Sequence, residues 1–305
     1  MANELQNRLS HRAKRKGVLV PLLEDLFQNP VEIESEQDVE FLTRLLRTMV
    51  ERQKRRGSAP LYSPSQLASC LRYVYLLKHH REHGISRQKP TRVQPNFFFF
   101  NGNFLHLKWQ FALWKLDQAV SDEKFKLLGC EIPIISKHKD HGGTVDALVL
   151  IRHVPYIVDF KGLNVRSFSE ITRGKVPRNY LVQLADYGML FNSLRLDRSK
   201  VTHGLLVTEN KGGADNTYPT ALHETPVKID TYLPEVRWRL EELRSANGEI
   251  PPPECTSPHQ MQFTSCPFRG FCKVEVTKRF QRDQKEQRKT EPTLATSTRT
   301  RRRVK

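Results

Sequence analysis

Apolar residues recur along this chain in two rhythms. Spacing of three to four positions predicts helix, and short apolar runs rich in β-branched residues predict strand. LLEDLF and VEFLTRLLRTMV show the first rhythm on either side of the acidic stretch EIESEQD, so residues 1–56 read as a helical N-terminal extension closed by ERQKRRG and GSAP. Ser63-Pro64 is a helix start, a hydroxyl cap followed by the residue whose missing N–H costs nothing there. The helix is expected to run through SQLASCLRYVYLLKHH, with Leu67, Cys70, Leu71, Val74 and Leu77 on its apolar face. A second helix, about Asn101–Leu116, holds His106 and two tryptophans; the run Phe97–Phe100 before it reads as core rather than as a base-stacking platform. The strand rhythm then takes over at Cys130–Ile135, Thr144–Ile151 and Tyr156–Lys161, with Gly142-Gly143 expected to turn the chain between the first two. A helix over Asn179–Phe191, a strand at Val201–Thr208 and a long helix near Ile229–Ala246 follow, the last stopped by Asn247-Gly248 and Pro251–Pro253. This order predicts an α/β (α+β) fold, a mixed central sheet flanked by helices.

Charge narrows the class of partner. The 305 residues carry 50 Lys+Arg against 33 Asp+Glu, a formal +17 that favours a polyanion, above all nucleic acid. Residues 278–305 hold eleven basic and three acidic side chains, a net +8, and read as a basic tail without structure. That leaves 57–277 as the main domain. No run approaches the roughly 18 apolar residues of a membrane helix, and the N-terminal MANELQNRLSHRAKRKG lacks an export signal, so a cytoplasmic location is expected.

Candidate chemistry centres on GTVDALVLIRHVPYIVDFKG. Asp146 interrupts a hydrophobic strand, where a carboxylate is costly unless compensated. Asp159 ends the next run, and Lys161, two residues on, leaves the same strand face. A hairpin would bring both acids to one end of the sheet, where they repel unless a hard cation such as Mg²⁺ or Mn²⁺ joins them. Such an ion beside a lysine is what phosphodiester hydrolysis requires.

These motifs resemble the PD-(D/E)xK nuclease superfamily, and its RecB-like branch in particular. GTVDALV and DFKG, with twelve residues between Asp146 and Asp159, match its acid–acid–lysine pattern. Gln183 and Tyr187 match its Q-x-x-x-Y pair, and GNFLH around His106 is similar to the helix that supplies a histidine ligand. The resemblance implies a restriction-endonuclease-like fold and a metal held by His106, Asp146, Asp159 and the main-chain carbonyl of Phe160. It makes Lys161 catalytic, places Gln183 and Tyr187 beside the centre, and sets Glu131 where some relatives carry another acid.

The cysteines extend the likeness. Cys70 precedes the core and Cys255, Cys266 and Cys272 follow it, which is similar to the iron–sulfur subgroup that includes CRISPR-adaptation nucleases and AddB-type subunits. That layout implies a [4Fe–4S] cluster clasping the chain's distant segments, with zinc at the same thiolates as the rival. Cys255 stands ten residues before Cys266, where the family pattern has two. Cys130 has no place in this scheme and reads as core.

The expected function is a metal-dependent DNA nuclease, foremost an exonuclease acting at DNA ends in recombination, repair or end processing. The alternatives are processing of spacer precursors in CRISPR adaptation and a non-catalytic DNA-binding scaffold. No phosphate-loop motif is present, so unwinding would need a helicase or recombination partner. Lys211, after the last strand, and the basic tail are expected to face substrate phosphates.

Overall fold

The computed structural model describes residues 17–28, 31–54, 62–88, 95–194, 200–211, 222–259 and 261–290. Their elements run α1 (Val20–Leu26), α2 (Glu36–Lys54), α3 (Pro64–Leu67), α4 (Leu71–His79), α5 (Pro95–Ala119), β1 (Phe125–Ile135), β2 (Gly142–Ile151) and β3 (Val154–Leu163). They continue with α6 (Val165–Thr172), α7 (Arg178–Leu194), β4 (His203–Asn210), β5 (Leu222–Lys228), a 3₁₀ turn (Ile229–Thr231), α8 (Leu233–Ser245), α9 (Met261–Thr264) and α10 (Arg269–Thr290). The strands form one mixed sheet in the order β1-β2-β3-β4-β5, antiparallel except where β3 meets β4. The fold is therefore α+β, a mixed sheet flanked by helices.

Contacts divide the chain into two compact units. One comprises Met1–Ser69 with Arg92–Asn247, the other Cys70–Thr91 with Gly248–Lys305. The first holds the sheet. On one sheet face Ala147, Val149 and Ile151 of β2, Val158 and Phe160 of β3, and Leu205 and Val207 of β4 form a core with Trp109, Leu113 and Leu116 of α5. Leu19, Val20 and Leu23 belong to that same core, so the N-terminal helices are built into the sheet domain rather than appended to it. Their anchor is Glu224 on β5, whose carboxylate accepts the main-chain N–H groups of Val18, Leu19 and Val20 at 2.9, 2.8 and 2.8 Å. The opposite strand face packs against α7.

In the second unit Phe268 is buried beneath Tyr73 and His80, with Arg87 over its ring. Arg72, also buried, donates to the carbonyl of Pro251 at 2.5 Å and to Glu275 at 2.7 Å. Helix α10 continues to Thr290, so the basic segment expected to lack structure is helical over its first part. Residues 291–305 lie outside the described residues.

Other departures have local causes. The helix expected from Pro64 breaks at Ala68–Cys70: Ser63 and Gln66 form a reciprocal capping box, but Cys70 is extended (φ −56°, ψ 125°). The carbonyls of Leu67 and Ser69 at the break accept from Arg239. The β1–β2 turn is made by Ser136–His141, with Lys139 in the left-handed region at φ 56° and the Lys139 N–H on the Ser136 carbonyl at 2.9 Å. Gly142 and Gly143 instead lie in β2, opposite Ile135 and Ile134. Glycine at 143 serves close approach, since a Cβ there would stand 2.8 Å from Pro64 and 3.1 Å from the Tyr187 ring. The side chains of Phe97–Phe100 lie outside the described residues.

Candidate metal centre

The site forms where the β2–β3 ladder ends. Antiparallel pairing stops at Ala147↔Val158, and the next residues on the two strands are Asp146 and Asp159. Beyond that point the Phe160 N–H, which would otherwise pair with β2 main chain, donates to Asp146 Oδ2 at 2.9 Å. Asp146 thus closes the ladder with its side chain and keeps its other oxygen for the site. Both carboxylates are buried.

Helices supply the remaining groups. From α5, His106 Nδ1 lies 3.3 Å from Asp146 Oδ1. One turn on, Gln110 Nε2 donates to Glu131 Oε1 and to the Asp146 carbonyl, both at 2.9 Å. Lys161 Nζ lies 2.5 Å from Asp159 Oδ2 and 5.7 Å from the centre of the Tyr180 ring. From α7, Gln183 Nε2 donates to Asp159 Oδ1 at 3.1 Å. Tyr187, one turn further, is buried with its ring against Gly143, at the start of the strand that carries Asp146.

Electrostatics separate the two acids. Burial opposes ionisation of Asp146, but His106, Lys161 and the Phe160 N–H outweigh it and hold its pKa below the ordinary value. Asp159 is pushed up, by burial and by the charge of Asp146, against the pull of Lys161. Burial also works against the charge on Lys161, yet Asp159 and Asp146 raise its pKa, so it is an ammonium at neutral pH. His106 is raised as well: burial opposes its charge and Asp146 wins.

Ligand atoms of His106, Glu131 and Asp146 lie within 4.8 Å of one another, and among the described residues they are the only such His, Cys, Asp and Glu set of three or more. Two carboxylates and an imidazole suit a hard or borderline divalent ion. Of the expected ligands, His106 and Asp146 belong to this set. Glu131, placed by a left-handed φ of 51° inside β1, joins His106 and Asp146, whereas Asp159 is engaged by Lys161 and Gln183. Phe160, whose carbonyl the resemblance makes a ligand, lies at the same strand end with its N–H on Asp146. Lys211 crosses the strand residue after Lys161: a Cβ on Gly162 would stand 1.7 Å from Lys211 Cε, which accounts for glycine there.

Sequence reasoning missed Gln110, Tyr180 and the buried pair His141–Asp186, bonded at 2.8 Å. Burial raises the Asp186 pKa, which the hydrogen bond from His141 only partly opposes. Gln110, one turn after His106 on the same helix face, was open to discovery by spacing alone.

Cys70, Cys255, Cys266 and Cys272 all fall in the second unit. Cys255 and Cys272 share an apolar cluster with Phe263 and Val276. Burial, joined by the charges of Cys70, Cys266 and Cys272, pushes the Cys255 thiol up to about 12. Two donors point at sulfur: Arg72 Nη1 lies 3.8 Å from Cys272 Sγ, and the Phe268 N–H 3.4 Å from Cys266 Sγ. No three of the sulfurs lie within 4.8 Å of one another. Cys130 is half-buried in β1 beside the sheet core.

No family model matches the chain, and no curated protein matches it. Among solved structures, one titled "Crystal structure of SSO0001" is similar at a TM-score of 0.42 and 17% identity, over 77% of this chain and 95% of that one. Among the described residues, no helix is long and apolar enough to cross a membrane.

Proposed function

We propose that this chain is a metal-dependent DNA nuclease of RecB-like PD-(D/E)xK type that hydrolyses phosphodiester bonds at DNA ends. One observation carries the reading: two buried acids meet where a strand ladder ends, one bonded to a lysine and the other beside a histidine and a third acid. A scaffold gains nothing from burying Asp146, Asp159 and Lys161 together, since burying such charges costs stability.

In this reading His106, Glu131 and Asp146 hold Mg²⁺ or Mn²⁺, with Asp159 adjacent. The bound ion supplies Lewis-acid polarisation of a phosphoryl oxygen and a lowered pKa for water. Lys161, held on Asp159, supplies a cation beside the charge that grows on the phosphate. Gln183 and Tyr180 hold Asp159 and Lys161 in place. Lys211 and the cations of α10 bind backbone phosphates independently of sequence.

The four cysteines would hold a [4Fe–4S] cluster. Two N–H donors aimed at sulfur, from Arg72 to Cys272 and from Phe268 to Cys266, suit cluster thiolates, and zinc at the same thiolates is the rival.

End-labelled linear and closed circular DNA, each with Mg²⁺, Mn²⁺ or EDTA, test the activity. Metal-dependent cutting of the linear form, lost in Asp159→Ala with DNA binding kept, is expected. Failure to cut either substrate with either metal removes the enzyme reading. Iron content and absorption near roughly 400 nm test the cluster; stoichiometric zinc in a colourless protein rules it out.

A further inference from the structure

Among the described residues, helix α2 packs inward through one face. Asp38, Phe41 and Leu45 point inward: Asp38 bonds Trp114 and Lys115, and Phe41 stacks on Trp114 at 4.6 Å. On the opposite side Val39, Thr43, Leu46 and Val50 follow one another at steps of four, three and four, the a/d spacing of a coiled-coil seam. Val39, Leu46 and Val50 are 54%, 47% and 51% exposed, and Thr43, Leu46 and Val50 line a shallow groove of about 330 Å³ with Arg47 and Glu51. Three large apolar side chains in register on solvent are a surface that wants cover.

The residues flanking the seam identify the cover. On one side lie Leu42 and Met49, both half-buried; on the other lie Glu40 and Arg47. Among the described residues neither Glu40 nor Arg47 forms an ion pair within the chain. If a second α2 is laid antiparallel about the midpoint of the seam, Val39 meets the partner's Val50 and Thr43 meets the partner's Leu46. Leu42 then abuts the partner's Met49, and Glu40 faces the partner's Arg47, each contact occurring twice by two-fold symmetry. The face is self-complementary in hydrophobicity and sign. Glu36, Glu40 and Glu51 on the rim argue against an anionic surface as the occupant.

We infer that two copies of this chain associate through α2 as an antiparallel helix pair. The patch is small, so association belongs in the weak, concentration-dependent class, with a Kd of roughly 1–100 µM. Sedimentation velocity on the full chain without DNA, from about 1 to 200 µM, tests it. Wild type is expected to pass from monomer to dimer, and Leu46→Glu, an exposed position whose fold circular dichroism can check, to stay monomeric. Glu40→Arg and Arg47→Glu should each weaken dimerisation about tenfold by facing like charges twice. Mixing the two single variants should restore it, because only the heterodimer then pairs opposite charges. A wild type that stays monomeric throughout, a dimer indifferent to Leu46→Glu, or a mixture no tighter than either variant alone each overturns the proposal.

Discussion

The proposed metal centre makes a prediction that needs no substrate. A ligand that binds only the folded state stabilises it by RT ln(1 + [L]/Kd), about 2.7 kcal/mol at one hundred times Kd. For a unit of this size each kcal/mol moves Tm by about 2–4 °C, so saturating Mn²⁺ should raise Tm by roughly 5–10 °C over an EDTA control. Asp146→Asn is the informative variant. Its amide oxygen can still accept the Phe160 N–H, which preserves the strand end, while the charge facing His106 and Glu131 is gone. Removing that charge also relieves Asp159, whose pKa Asp146 helps to raise. The metal-free variant should therefore melt within a few degrees of wild type, and the Mn²⁺ shift should shrink to under about 2 °C. Scanning calorimetry or fluorimetry at fixed protein concentration reads both numbers. Wild type unmoved by Mn²⁺, or Asp146→Asn shifting as far as wild type, refutes the assignment of ligands.

Three further outcomes concern the fold and the proposed cysteine site. The Asp38 carboxylate accepts from the Glu34 and Ser35 N–H groups, Trp114 and Lys115. Burial opposes its charge, yet those donors hold its pKa well below the ordinary 3.8. Its contribution is thus complete above the unfolded value and is lost as pH falls below it. Asp38→Asn should cost about 1–3 kcal/mol at pH 7, with the gap to wild type closing between about pH 5 and 2 in acid-dependent urea melts; a gap independent of pH contradicts this. Arg72→Met removes donors from the Pro251 carbonyl, Cys272 Sγ and Glu275. It should lower the iron retained on purification, and the visible spectrum of any residual cluster should shift, whereas unchanged iron content and spectrum would separate Arg72 from the cysteine site. Glu224→Ala strips three N–H groups of their acceptor at the start of α1. A loss of about 2–4 kcal/mol with early hydrogen exchange in residues 17–28 is expected; protection equal to wild type there would refute the anchor.

What could be read from sequence divides along a physical line. Asp146 announced itself as a carboxylate inside an apolar run, and the two-residue period carried Lys161 to the face of Asp159; both depend only on neighbours along one strand. Helical spacing likewise linked Gln183 to Tyr187. Glu131 was visible but its role was not. Its place beside Asp146 depends on a left-handed residue within β1 and on the Gln110 amide reaching across from α5. Strand β5 escaped notice because LHETPVK is polar and contains Pro226, which an edge strand tolerates. Its buried Glu224 gave no local signal because its partners stand about two hundred positions earlier, at |i−j| of 204 to 206. The same distance hid the fate of the N-terminal segment. Periodicity marked α1 and α2 as helices, but only α1's place in the core with α5 and the stacking of α2's Phe41 on Trp114 show that they join the sheet domain. Local chemistry therefore declared which groups are costly to bury, while the compensation each receives lies in contacts remote in sequence, and it is the compensation that turns a costly acid into a candidate ligand.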